Sequence, residues 1–205
     1  MQRLAFWFEF ASTYSYLSAM RVDALAAEAG VAIDWRPFLL GPIFAAQGWP
    51  TSPFNLYPAK GRYMVRDIER IAAARGLAFR LPDPFPQNGL LAARLARLGR
   101  DEGWVAPFAR EVYRAEFAEG RDIADRTTLA EILEGLGLEP EVCFRAAEND
   151  AIRAALRADT AEATALGLFG APSFVTADGE LFWGDDRLEQ ALAHALTRCT
   201  PTSTT

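Results

Sequence analysis

Sulfur is scarce in this chain of 205 residues. Its two cysteines, Cys143 and Cys199, lie far apart and form no C-x-x-C pair. That excludes a disulfide scaffold and dithiol exchange. His194 is the only histidine, so a Cys/His zinc site is excluded and no metal is expected. A Ser-His-Asp triad would also have to use that one residue, close to the chain end. No apolar run approaches the roughly 18 residues of a membrane span, so no membrane partner is expected. Only Leu4 to Phe8 is apolar between Arg3 and Glu9, too short for the core of a secretion signal. A cytoplasmic protein is the expectation. Positive charge is in deficit as well. Twenty-seven acidic residues against 21 basic ones leave a net charge of −6, without the basic footprint a nucleic-acid partner needs. Lysine is almost missing: Lys60 stands alone among the basic residues, the rest being arginine. Either chance left it there or a compact ammonium is needed at that place.

What is present is ordinary for a globular protein, with 51% hydrophobic and 23% charged residues. A chain of this length buries roughly 70% of its unfolded surface without staples. Leu4 to Phe10 is apolar and aromatic except for Glu9 and reads as a buried strand. After a break at Ala11 to Tyr14, Ser15 to Ala29 reads as one helix ended by Gly30. Val31 to Leu40 reads as a second strand, ended by Gly41-Pro42. This β-α-β order favours a parallel pair. Trp49 to Ala59 reads as a loop.

Helical patterns follow, with Met64, Ile68 and Ile71 on one face before Gly76. Leu91, Leu95 and Leu98 share a second face, expected to stop at Gly99. Val105, Phe108, Val112 and Ala115 share a third, before Gly120. Thr128 with Glu131 reads as a capping box opening a fourth helix. Two more run from Pro140 to Asn149 and from Asp150 to Leu166. Ser173 to Thr176 and Glu180 to Trp183 read as a hairpin, and Asp186 to Leu196 as a last helix. The sum is α/β, a thioredoxin-like fold (β-α-β … β-β-α) with an all-helical domain inserted between its halves. Its expected parts are 1–42 with 166–199, the insertion 43–165, and a disordered tail 200–205. The cleft between the parts is the default binding site.

Four stretches could carry chemistry there. Ser12-Thr13-Tyr14-Ser15 stands where a redox relative would hold two cysteines. Free N–H groups at the helix start favour an anion, and a serine hydroxyl can donate to another molecule's thiolate. Ser12 would serve equally as an N-cap. Ala171-Pro172 precedes a strand. A cis bond there would present the Ala171 backbone to an extended peptide, whereas a trans bond would make it an ordinary strand start. Asp186 with Glu189 reads as a capping box, or as a carboxylate for an ammonium group. Lys60 at a helix start opposes the helix dipole, by about 0.5 kcal/mol, and could hold a carboxylate.

An extended ligand with a thiol, an ammonium and carboxylates describes glutathione. The motifs Phe8–Leu17, Phe38–Gly41, Pro58–Met64, Phe85–Asn88, Gly170–Pro172 and Gly184–Arg187 together make the chain resemble the 2-hydroxychromene-2-carboxylate isomerases and kappa-class glutathione transferases, within the DsbA-like thioredoxin superfamily. The resemblance implies glutathione as cofactor and Ser12 as the catalytic serine that stabilises its thiolate. It implies that Ala171, with Pro172, pairs with the cysteinyl part. Asp185 and Asp186 match the holders of the γ-glutamyl end, and Lys60 a lysine of the same site. Tyr14, Trp49, Tyr57 and Asn88 are the candidates for a small aromatic substrate, with Phe54 and Phe85 beside them. An Asn that relatives often carry after the second strand is missing from Gln47-Gly48-Trp49-Pro50; the next is Asn55. The implied activity is interconversion of the chromene and trans-o-hydroxybenzylidenepyruvate in aromatic degradation. The alternatives are a kappa-like transferase and a glutathione-binding module without turnover. Dimerisation is common in the family, and a homodimer is carried as an expectation.

Overall fold

The computed structural model describes residues 2–197. Cys199 and the expected tail at 200–205 lie outside the described residues. The sheet begins with β1 (Gln2–Phe8) and β2 (Val31–Pro37), which pair in parallel with Phe6 beside Trp35. Later in the chain, β3 (Ser173–Thr176) runs antiparallel to β1, and β4 (Leu181–Trp183) antiparallel to β3. The order across the sheet is β2-β1-β3-β4. Alternation along β1 divides the core. Leu4, Phe6 and Phe8 join the larger cluster, and Trp7 joins a smaller one with Phe38, Ile43, Leu168 and Val175. Each fully buried aromatic contributes about 1.5–3 kcal/mol relative to exposure.

The expected first helix is two, α1 (Thr13–Ala19) and α2 (Val22–Ala29). The chain leaves helical geometry at Arg21, whose guanidinium reaches Asp185 and Glu189 more than 160 residues away. No local pattern reports such partners. The second strand is also shorter than expected. It ends at Pro37, and Gly41-Pro42 opens α3 (Leu40–Ala46) rather than closing the strand. Proline is tolerated in a first turn because those N–H groups have no helical acceptor.

The expected loop at 49–59 contains a single helical turn, α4 (Pro53–Leu56), before α5 (Pro58–Ala74). Then come α6 (Leu90–Glu102), α7 (Val105–Phe117), α8 (Arg126–Gly135), α9 (Pro140–Ala147) and α10 (Asp150–Ala165). Gly99 does not stop α6. A Cβ there would meet the Trp104 ring at 2.4 Å, so the glycine makes room for an indole. The helix ends at Gly103 with φ +87°. The cap of α8 is Asp125, which accepts from Thr127 N–H at 2.9 Å; Thr128 is buried inside the helix. The capping box expected at Thr128 is thus replaced by an aspartate three residues earlier.

The large cluster continues from the sheet through Tyr16 and Leu17 of α1 into Ile68 of α5 and Phe108, Tyr113 and Phe117 of α7. The end of β1, the start of α1 and the start of β3 are thereby held against the helices. A helical turn at Asp185–Arg187 leads into α11 (Leu188–Thr197). None of the described helices is long and apolar enough to cross a membrane.

Candidate active site

Beyond Phe8 the backbone turns sharply, and Ser12 N–H donates to the Glu9 carbonyl at 3.0 Å. Ser12 then does two things with one hydroxyl. Its Oγ accepts from Ser15 N–H at 3.2 Å, which makes it the N-cap of α1, and donates to the Ala171 carbonyl at 2.9 Å. The Ala171–Pro172 bond is cis, and Pro172 is buried behind it. Two loops separated by 159 residues therefore meet through a single proton. Ser15, one turn further in, is completely buried and does not line the cavity.

That cavity measures about 660 Å³, within the range of small-molecule sites. Ser12, Tyr14, Trp49, Lys60, Ala171, Asp185 and Asp186 all line it. Tyr57 and Asn88 do not. Tyr57 points outward at 57% exposure, and Asn88 Oδ1 accepts from Leu90 N–H at 3.1 Å in the turn before α6. Phe54 and Phe85 line the cavity, as the sequence suggested, and Tyr63 takes the wall position expected of Tyr57. Asn55 Nδ2 donates to Thr51 Oγ1 at 3.2 Å and does not itself line the cavity.

Electrostatics differ from residue to residue. Tyr14 Oη donates to Asp67 at 2.9 Å; burial and that carboxylate push its hydroxyl well above the ordinary range. Lys60 is exposed, its Nζ 5.7 Å from the centre of the Phe54 ring. Asp185 is only 3% exposed. Its Oδ1 accepts from Ser18 Oγ at 2.9 Å and Arg21 Nε at 3.1 Å, and its Oδ2 accepts from Arg75 at 2.7 Å. Asp186 stands at the rim, paired with Arg187 at 3.1 Å. The capping box expected of Asp186 and Glu189 is not formed. Asp186 sits in the preceding turn, and Glu189 is drawn to Arg21, which lowers its pKa.

Several residues around the site escaped the sequence. Phe169 and Trp183 form a ring pair at 4.9 Å and line the cavity, both about half exposed. The hairpin register was the available signal, since it sets Trp183 opposite Ser173. Gly170 belongs to this arrangement, because a Cβ there would lie 2.4 Å from Trp183 Nε1. Arg21 and Arg75 were invisible as partners of Asp185. Glu9 also lines the cavity, although its pattern marked it only as a charge inside a strand.

Known proteins share this architecture. The chain is 29% identical to a 2-hydroxychromene-2-carboxylate isomerase of Sphingobium xenophagum over 185 residues, 90% of this chain and 93% of that one. It is 27% identical to glutathione S-transferase kappa 2 of Caenorhabditis elegans, covering 90% and 88% of the two chains. A solved structure of a 2-hydroxychromene-2-carboxylate isomerase superposes with a TM-score of 0.85 at 25% identity, covering 96% of this chain and 95% of that one. The family model for the DsbA-like thioredoxin domain matches residues 3–196, and the chain belongs to that family.

Proposed function

We propose that the protein is a glutathione-dependent isomerase of the 2-hydroxychromene-2-carboxylate type. The observation that carries this reading is the bond from Ser12 Oγ to the Ala171 carbonyl on the cavity floor. It brings a hydroxyl at a helix N-terminus against the backbone that would pair with a peptide-like ligand. The cavity is the seam between the thioredoxin-like parts, 1–42 and 166–199, and the inserted helices, 43–165; residues of both line it.

The donor set fits glutathione. A hydroxyl stands at the start of α1, an ammonium at Lys60 and an exposed carboxylate, paired with Arg187, at Asp186. Lys60 would hold a carboxylate of the tripeptide and Asp186 its ammonium group, with Asp185 lining the wall behind. Ala171, shaped by Pro172, would pair with the cysteinyl backbone. Bound glutathione supplies a thiolate that adds to and leaves a conjugated carbon, so that the double bond can rotate.

Ser12 has one proton to give. Donating it to a sulfur means turning it from the Ala171 carbonyl, which leaves that carbonyl free for a peptide N–H. The N-cap survives this turn, because it uses the oxygen as an acceptor. Trp49 and the neighbouring rings supply an apolar wall for a planar aromatic substrate, with Tyr14 held in place by Asp67.

The test compares the two serines. Ser12→Ala is expected to slow isomerisation roughly 10- to 100-fold, the loss of a hydrogen bond worth about 1.5–3 kcal/mol. It also raises the pKa of the bound thiol, seen as lost thiolate absorbance. Ser15→Ala is expected to leave both nearly unchanged. The reverse pattern assigns the role to the wrong serine. Total free thiol should stay constant during turnover; a falling count favours the transferase reading.

A further inference from the structure

Four acidic residues line the cavity: Glu9, Asp67, Asp185 and Asp186. Three of them have cations. Asp67 pairs with Arg70 at 3.3 Å, Asp185 with Arg21 and Arg75, and Asp186 with Arg187. Among the described residues Glu9 has no such partner and no cation acts on it. Its carboxyl accepts from Ala11 N–H, which lays it over the turn that ends at Ser12. Behind it stand Tyr113 and Glu116 of α7. Tyr113 Oη donates to the Glu9 carbonyl at 3.0 Å. Glu116 is completely buried, and neither of its oxygens has a hydrogen-bond partner among the described residues.

We infer that the Glu9 carboxyl carries the proton when the substrate's ring opens and closes. This rests on the substrate class proposed above. The chromene is a cyclic hemiketal, so opening it needs no oxidant and no net acid. The Glu9 carboxylate takes the proton of the hemiketal hydroxyl. The bond between that carbon and the ring oxygen breaks, and its electron pair goes to the oxygen. A C=O forms at the carbon. Glu9 returns the proton to the new phenolate, and the carboxylate is restored. Closure runs through the same steps backwards.

The surroundings suit this work. Withdrawal from water pushes the Glu9 carboxyl up to about 7, so both its forms are accessible near neutral pH. Glu116 is pushed well above the usual carboxylate range by burial, with smaller contributions from Glu9 and Asp122, and stays neutral. Tyr113 is likewise held neutral by burial. The other titratable and charged groups lining the cavity include Tyr14, whose proton is committed to Asp67, Lys60 on α5, Tyr63, and Asp185 and Asp186 before α11.

Ring opening can be followed at the phenol absorbance in protein without glutathione. The wild type is expected to accelerate it, with a rate that rises with pH through about 7. Glu9→Gln keeps an acceptor for Ala11 N–H, so the fold is retained, as its melting temperature at pH 5 checks. The variant should open the ring roughly 100-fold more slowly, with no step near neutral pH. Its affinity for glutathione, measured by calorimetry, should match wild type. Equal rates in the variant and wild type, or no acceleration by the wild type, overturn the inference. Absence of glutathione binding by the wild type overturns the cofactor reading of the preceding section instead.

Discussion

Asp185 and Glu9 line one cavity; Asp185 is buried and Glu9 is partly buried. Asp185 is surrounded by Arg21, Arg75 and Ser18, with every side-chain oxygen occupied. Glu9 has one backbone N–H in front of it and a second carboxyl, Glu116, behind. Burial raises the pKa of the Glu9 carboxyl, whereas the buried Asp185 side chain meets donors on both of its oxygens. Its donors tie α1, α2, α5 and the loop before α11 together through the Asp185 side chain. Their absence leaves Glu9 free to hold or lose a proton at the edge of the site.

The most severe way to break this comparison is to remove the Asp185 side chain. Asp185→Ala leaves two guanidinium groups and a hydroxyl facing one another without their acceptor. Removing one partner of a buried ion pair costs about 3–5 kcal/mol. Urea unfolding at pH 7 should show that loss. A cost below about 1 kcal/mol would mean that Arg21 is held by Glu189 alone and Arg75 by water.

A smaller effect, of opposite sign, is expected at Glu9. Its pKa rises from 4.5 to about 7 on folding. Between those values the folded chain keeps a proton that the unfolded chain has lost. The stability from this group is complete below 4.5 and is lost as pH rises through 7. Glu9→Gln cannot ionise, so at pH 8 it should be about 1–3 kcal/mol more stable than wild type. Near pH 4 the two should unfold alike. Equal stability at both pH values would place the Glu9 carboxyl in contact with water.

Much of this was legible in the sequence, for reasons that stay local. The polar break at Ala11–Tyr14 between an aromatic strand and a helix marked the Ser12 turn, and Gly-Ala-Pro before a strand marked its partner loop. Helix faces such as Met64 and Ile68 were visible because their period is 3.6 residues. What failed depended on distant partners or on competition between neighbours. The break at Arg21 follows from acids more than 160 residues away. Gly99 carries the same letter as a helix stop, and only the position of Trp104 shows that it is a packing contact. Asp125 and Thr128 both suit an N-cap, and their spacing alone does not choose between them. Glu9 was read as a charge tolerated in a strand, because nothing nearby in sequence shows that a cavity opens beside it.

The smallest effect on stability is expected at Lys60, and it sharpens the contrast by adding a residue whose charge has no ion-pair partner among the described residues. Lys60 is exposed, and among the described residues its contact is the Phe54 ring, 5.7 Å from Nζ. Lys60→Ala should change stability by less than about 0.5 kcal/mol, because exposed sites away from caps and cores usually do. Its place in the third position of α5, where a cation opposes the helix dipole, makes a slight gain the expected sign. Glutathione affinity should nevertheless fall about tenfold, the loss of one charge-assisted contact in water. Lys60→Arg separates charge from shape. A guanidinium is planar and broad where an ammonium is compact. If a small pocket around a carboxylate explains the single lysine, arginine should bind glutathione as poorly as alanine. If arginine binds as well as lysine, charge alone suffices, and the rarity of lysine in this chain says nothing about the site.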